Sequence, residues 1–194
     1  MWQRRKWLLK AGGGLGALGV LGLSGLLAGC ASAPPRRLNA SGQACFALRR
    51  PRRLICSDAL APSTETEQNI RELGPIADAL TVYLVRRSIG DTGGAVPMTI
   101  DGRRGLTVPP FSMARLRLAP GAHRIVMTWR GEESALDLQG QAGDVRFVEL
   151  QRSSGFWSWH ARYGWRTVEP EQLARRALDS RVIADLDLRP TVSS

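Results

Sequence analysis

Val96-Pro-Met-Thr-Ile-Asp-Gly-Arg-Arg-Gly-Leu-Thr-Val108 is the stretch whose pattern decides the fold. Val96, Met98 and Ile100 fall on alternate positions, the two-residue repeat of a β-strand. They run into Asp101-Gly102, a pair that tolerates the positive φ angles of a tight hairpin turn, and Arg103–Val108 then supplies the returning strand.

The same period extends in both directions. Upstream, Leu80-Thr-Val-Tyr-Leu-Val-Arg-Arg87 is rich in branched and aromatic residues and predicts a strand. Downstream, Ala114, Leu116 and Leu118 alternate with Arg115 and Arg117. Pro120-Gly121 offers a two-residue turn, after which His123, Ile125, Met127 and Trp129 share one face and Arg124, Thr128 and Arg130 the other. Gly131-Glu132-Glu133 ends that strand, and residues 135–138 and 145–150 predict two more. At least six short strands so regularly spaced predict a mainly β protein, an antiparallel β-sandwich or small barrel.

One or two short helices complete the domain. Thr64-Glu65-Thr66-Glu67 has the capping-box pattern and predicts a helix over 65–73, stopped by Gly74-Pro75. Pro170 ahead of Leu173, Ala174, Ala177 and Leu178 predicts a second over 170–178. Val182, Ala184, Leu186 and Leu188 alternate afterwards, as a closing strand would.

The N-terminus carries a different signal. Trp2 to Lys10 is basic, and residues 11–29 form an uncharged stretch containing eight glycines, which is a targeting segment rather than a membrane span. It ends in Leu27-Ala28-Gly29-Cys30, which looks like a lipobox, so residues 1–29 are expected to be cleaved and Cys30 to carry lipid. Diacylglycerol on the thiol and acylation of the new amino terminus would anchor the chain firmly, since two buried acyl chains already suffice.

With Ala31 rather than an aspartate after Cys30, the expected destination is the periplasmic face of the outer membrane. Arg4-Arg5-Lys6-Trp7-Leu8-Leu9-Lys10 fits a twin-arginine export signal as well as ordinary secretion. Gly14-Leu15-Gly16-Ala17-Leu18-Gly19 matches a dinucleotide-binding fingerprint by letters alone; inside a cleaved segment it has no strand before it and no βαβ unit after it.

Cleavage removes Arg4, Arg5, Lys6 and Lys10 and lowers the net charge from +10 to +6. Every cation left is an arginine, the residue suited to bidentate contact with phosphate and carboxylate. Residues 30–44 are small, polar and proline-bearing, the composition of a tether with little fixed structure.

Residues 45–64 are expected to form a separate basic hairpin and loop, and residues 65–190 the sandwich. If lipid consumes Cys30, Cys45 and Cys56 are the remaining thiols, and an oxidising envelope favours joining them. Arg49, Arg50, Arg52 and Arg53 between them are either solvated or a contact for anionic headgroups. Phe156-Trp157-Ser158-Trp159-His160, with Tyr163 and Trp165, either forms a glycan- or partner-binding surface through Trp157 and Trp159 or closes one end of the sandwich.

Val82-Tyr83-Leu84-Val85-Arg86, Ile100-Asp101-Gly102, Leu118-Ala119-Pro120-Gly121-Ala122-His123 and Gly143 before Phe147 together resemble a group of small lipoproteins of Gram-negative bacteria whose function is unknown. The resemblance covers roughly residues 79–170 and implies short β-modules similar to transthyretin-like and surface carbohydrate-associated sandwiches. It implies no activity.

No catalytic constellation stands out. His123 and His160 are the available imidazoles; the first lies on an apolar strand face and the second among aromatics. Glu132-Glu133 occupies a turn, and Asp185 and Asp187 point outward from a strand, so neither pair outlines a glycosidase cleft. Two cysteines and two histidines at these spacings make no zinc site, and no cofactor motif survives. The expectation is a non-enzymatic envelope lipoprotein that contacts membrane lipid through Cys30 and an envelope protein or glycan through its domain, but no nucleic acid.

Overall fold

In the computed structural model the described residues are 37–48, 53–87, 90–91, 93–154, 161–167 and 170–190. Along them run β1 (Gln43–Leu48), β2 (Arg53–Leu60), α1 (Thr64–Arg71), β3 (Leu80–Arg86), β4 (Val96–Ile100), β5 (Arg103–Val108) and β6 (Ser112–Leu118). There follow β7 (Gly121–Trp129), β8 (Glu132–Gly140), β9 (Val145–Ser154), β10 (Ala161–Thr167), α2 (Pro170–Leu178) and β11 (Arg181–Asp187).

The strands form a five-stranded sheet in the order β10-β9-β3-β6-β11, a four-stranded sheet β5-β4-β7-β8 and the two-stranded ribbon β1-β2. None closes into a barrel, and the protein is a mainly β, sandwich-like fold with two short helices.

Side-chain parity explains how the layers stack. Leu80, Val82 and Leu84 of β3, with Leu116 and Leu118 of β6, pack against Met98, Ile100, Ile125 and Met127 of the four-stranded sheet. The opposite face of β3, carrying Tyr83 and Val85, is covered by Ile70 of α1 and Leu173 and Ala177 of α2. Helices therefore shield the outside of the larger sheet, and β3, buried on both faces, reads as an apolar run rather than an alternation.

The hairpin at the centre of the sequence argument forms as its residues dictate. Ile100 pairs with Arg103 across Asp101 (φ 51°) and Gly102 (φ 72°), two consecutive positive φ values that define a primed turn. Arg130 (φ 54°) and Gly131 (φ 83°) repeat the device, with Trp129 opposite Glu132. The turn thus precedes Glu132, and β8 starts there and runs longer than expected.

Other expectations need correction. Pro120-Gly121 is not a hairpin turn: β6 and β7 belong to different sheets, so the pair makes a corner between layers. The cap of α1 is Ser63, whose side chain accepts a hydrogen bond from the Thr66 backbone N–H at 3.1 Å, and the helix begins one residue earlier than the capping-box pattern placed it. The sandwich is not purely antiparallel, because β3 pairs with β9, and β6 with β11, in parallel. Residues 161–167, set aside as part of an aromatic cluster, form the edge strand β10.

The ribbon is also more integrated than a separate hairpin on a structureless tether. Leu38 bridges Ala44, the Arg37 carbonyl accepts from the Cys45 N–H at 2.8 Å, and Ala44 is buried in the sandwich core. Phe46 stacks on Phe111 with centroids 5.2 Å apart, and Arg181 donates to the Cys45 carbonyl. Asp58 and Thr107 exchange backbone and side-chain hydrogen bonds, tying β2 to β5.

Candidate functional site

Three polar constellations stand out among the described residues, and each is fixed by the parity of the strand that carries it. The deepest is built on Arg86. As the fourth inward position of β3 after Leu80, Val82 and Leu84, it must enter the sandwich, and its side chain is fully buried.

Its charge is met by Asp91, equally buried, through Nε to Oδ2 at 2.8 Å and Nη2 to Oδ1 at 2.9 Å. Nη1 donates to the carbonyls of Gly94 and Val108, and Nη2 donates to the Tyr163 hydroxyl at 2.7 Å, which itself donates to Asp91 Oδ1 at 2.7 Å. Trp129 packs edge-on to Tyr163 at 4.9 Å. This is a bidentate, fully donated ion pair, the geometry that a buried charge requires.

Burial works against the Asp91 carboxylate, but the hydrogen bonds and charge of Arg86, with the Tyr163 hydroxyl and the Gly93 N–H, hold its pKa below the ordinary range. Burial and the adjacent Asp91 push the Tyr163 phenol up despite Arg86. Gly93 is the close-approach point: a Cβ there would lie 2.2 Å from the Tyr163 oxygen. The cluster closes one end of the sandwich as a structural plug.

Above that plug lies an open groove of about 660 Å³ between the ribbon and the β7–β8 turn. Arg53, Leu54, Ile55 and Cys56 form one wall, and Gly93, Gly94, Trp129 and Arg130 the other. Arg53 is the member of the expected arginine run that the structure places, and it stands on the same groove as a tryptophan.

At another site, a cleft of about 440 Å³ is lined by Ile100, Asp101, Arg103, Ala119, His123, Asp187, Leu188, Arg189 and Pro190. His123 Nδ1 lies 2.6 Å from Asp101 Oδ2, and Nε2 lies 2.7 Å from the Ala119 carbonyl oxygen. A triad base needs one ring nitrogen facing the nucleophile's proton. Here both nitrogens are occupied by acceptors of the fold, so in this arrangement His123 pins the β6–β7 corner to the β4–β5 turn.

Burial would raise the Asp101 carboxyl, but the Arg124 backbone N–H at 2.8 Å and the His123 ring hold it below the ordinary carboxylate range. A depressed folded-state value stabilises the fold above the ordinary carboxyl pKa of about 4, and that contribution is lost as the pH falls through the lowered value. Asp101→Asn keeps a residue suited to positive φ and removes the charge. With the Asp101 side chain 44% exposed, solvent screens the pair, so the expected loss is under about 1 kcal/mol at neutral pH. Thermal unfolding of both proteins from pH 7 to pH 3 checks it; a gap that stays constant or widens on acidification rules the ionic account out.

The arginines that alternate along β6 are neutralised by acids of neighbouring elements. Arg115 binds Asp185 through two bonds of 3.0 and 2.8 Å and also donates to Asn69 of α1. Arg117 lies 3.3 Å from both Asp185 and Asp187. Arg189 binds Asp187 and Asp78, and hydrogen bonding from Arg189 draws the Asp187 pKa down to about 2. Asp185 and Asp187 do point outward from β11, directly opposite Arg115 and Arg117 of β6, and form a charge ladder.

Of the remaining expected positions, Cys45 and Cys56 are joined in a disulfide across directly opposed positions of β1 and β2. Cys30, Arg49, Arg50, Arg52, Trp157, Trp159 and His160 lie outside the described residues, as does the whole of residues 1–29. Tyr163 and Trp165 take part in closing the sandwich, Trp165 through a 2.9 Å bond to the Ser134 carbonyl of the other sheet.

The Arg86 cluster escaped the sequence reading although parity alone marks Arg86 as an inward cation. Its partner Asp91 lies in a loop, where no period assigns a direction. The chain matches no protein-family model and no curated protein, so these sites stand on their own chemistry.

Proposed function

We propose that this chain is a lipid-anchored protein of the bacterial cell envelope whose sandwich makes contacts with another envelope protein and catalyses no reaction. The observation that carries the reading is the division of the three cysteines: Cys45 and Cys56 are joined, and Cys30 ends an uncharged stretch behind a basic segment. A disulfide suits an oxidising compartment, and a cysteine so placed suits lipidation. Ala31 directs the anchored protein to the periplasmic face of the outer membrane.

Metabolic labelling with a clickable fatty acid tests the anchor. The wild-type chain is expected to take up the label and to migrate as the shorter, processed form, and Cys30→Ser to lose both. Undiminished labelling of Cys30→Ser overturns the reading.

A second reading is favoured by the groove that brings Arg53 and Arg130 beside Trp129, a cation-and-aromatic combination suited to an envelope glycan or a lipid headgroup. Crosslinking in intact cells separates the two. A discrete protein adduct supports the first, and glycan or lipid adducts on groove residues support the second.

A further inference from the structure

Charge is distributed unevenly along the chain. Residues 36–57 carry six arginines and no acid, whereas residues 58–194 carry seventeen arginines and seventeen acids. The whole positive excess of the segment after Cys30 therefore sits in the ribbon and its lead-in, and the sandwich behind it is neutral.

Exposed apolar side chains are concentrated in the same place. Among the described residues, Leu38 (48% exposed), Leu54 (58%), Leu60 (70%) and Leu178 (45%) are the large hydrophobics left to solvent. The first three belong to the ribbon and its lead-in. Leu54 and Leu60 are six residues apart on β2, so strand alternation puts them on one face, about 20 Å apart. The neighbouring Ile55 points the other way and is buried.

Cys30 precedes Arg37, the first described residue, by seven positions, and seven residues reach at most about 25 Å. Arg37 is itself fixed to Cys45 by its carbonyl. An anchor at Cys30 thus holds the ribbon, which lies along the β5 edge of one sheet and the β11 edge of the other, within reach of the bilayer.

We propose that the β1–β2 ribbon docks on an anionic phospholipid surface, with Leu54 and Leu60 entering the headgroup region and the positive excess of residues 36–57 drawn to its phosphates. Bare leucines gain by leaving water, and arginines flanking them gain from negative lipid, the combination that characterises interfacial contact. The proposal rests on the lipid-anchor reading for its geometry. It goes further in fixing which surface faces the membrane and which remains free for a partner.

The test places a photo-crosslinking amino acid at Leu54, at Leu60, or at Glu133 on exposed β8. Each protein is isolated from cell membranes and reconstituted in vesicles of phosphatidylethanolamine with phosphatidylglycerol, or in phosphatidylcholine alone. Phospholipid adducts are expected at Leu54 and Leu60 at least about fivefold above Glu133, and about fivefold above the yield in phosphatidylcholine, the factor one arginine near an anionic surface supplies.

Equal yields at the three positions, or equal yields in the two vesicles, overturn docking on anionic lipid. Protein adducts in place of lipid adducts at Leu54 and Leu60 do the same. Fatty-acid labelling of the same samples keeps the anchor distinct: label without lipid adducts at these leucines removes the docking alone, and adducts without label remove the anchor alone.

Discussion

Arg86→Met is expected to cost about 4 kcal/mol of folding stability, because it leaves Asp91 as an uncompensated charge in the closed end of the sandwich. A domain of ordinary stability has about 5–15 kcal/mol in total, so the variant stands near the threshold of folding. The Gly94 and Val108 carbonyls and the Tyr163 hydroxyl lose their donor in the same step. Urea unfolding followed by tryptophan fluorescence measures the loss.

Two further measurements separate this account from a simple packing defect. Replacing both partners, Arg86→Met with Asp91→Leu, should restore part of the stability, since no charge is then left unpaired. In the wild type the depressed Asp91 pKa stabilises the fold fully above the ordinary carboxyl range, and that contribution fades as the pH falls through the lowered value. In Arg86→Met the lone carboxyl can be protonated readily, so the deficit should narrow on acidification. A deficit below about 1 kcal/mol, or a double variant worse than the sum of the singles, rules out the buried pair as the source.

The same cluster shows where the sequence is legible and where it is not. Period-two runs such as Val96 to Ile100 reveal strands because each side chain faces either core or solvent, and Asp101-Gly102 reveals a turn because few pairs accept two positive φ values. The parallel pairing of β3 with β9 joins segments about sixty residues apart, and no local pattern encodes it. Pro120-Gly121 reads like a hairpin because a corner between sheets uses the same residues; the difference is made by Ala119 and His123, which fix the corner from within. Arg115 and Arg117 look like an exposed basic face until β11 brings Asp185 and Asp187 opposite them. Alternation gives the side of a strand, and only the neighbouring strand decides whether that side is free.

Loss of the Cys45–Cys56 disulfide, in Cys45→Ser with Cys56→Ser, is expected to cost about 3 kcal/mol, the chain-entropy value for a loop of this size. A two-stranded ribbon is marginal by itself in water, and this one is held along the edge strands of the sandwich. Its ties include Ala44 in the core, Ala59 packed against it, the Phe46–Phe111 stack, the Arg181 bond to the Cys45 carbonyl and the Asp58–Thr107 exchange. Most of the core comes from the two large sheets, so the loss should be local: β1 and β2 open while those sheets stay closed. Hydrogen exchange tests this directly, with amide protection expected to fall in β1 and β2 and to persist in β3 and β6. Uniform loss of protection across all strands would make the ribbon part of the global folding unit instead. The consequence reaches the membrane as well. An opened ribbon no longer holds Leu54 and Leu60 on one rigid face, so the reduced protein should keep its lipid anchor and still lose the phospholipid adducts at those positions, which ties the stability of the staple to the orientation of the domain.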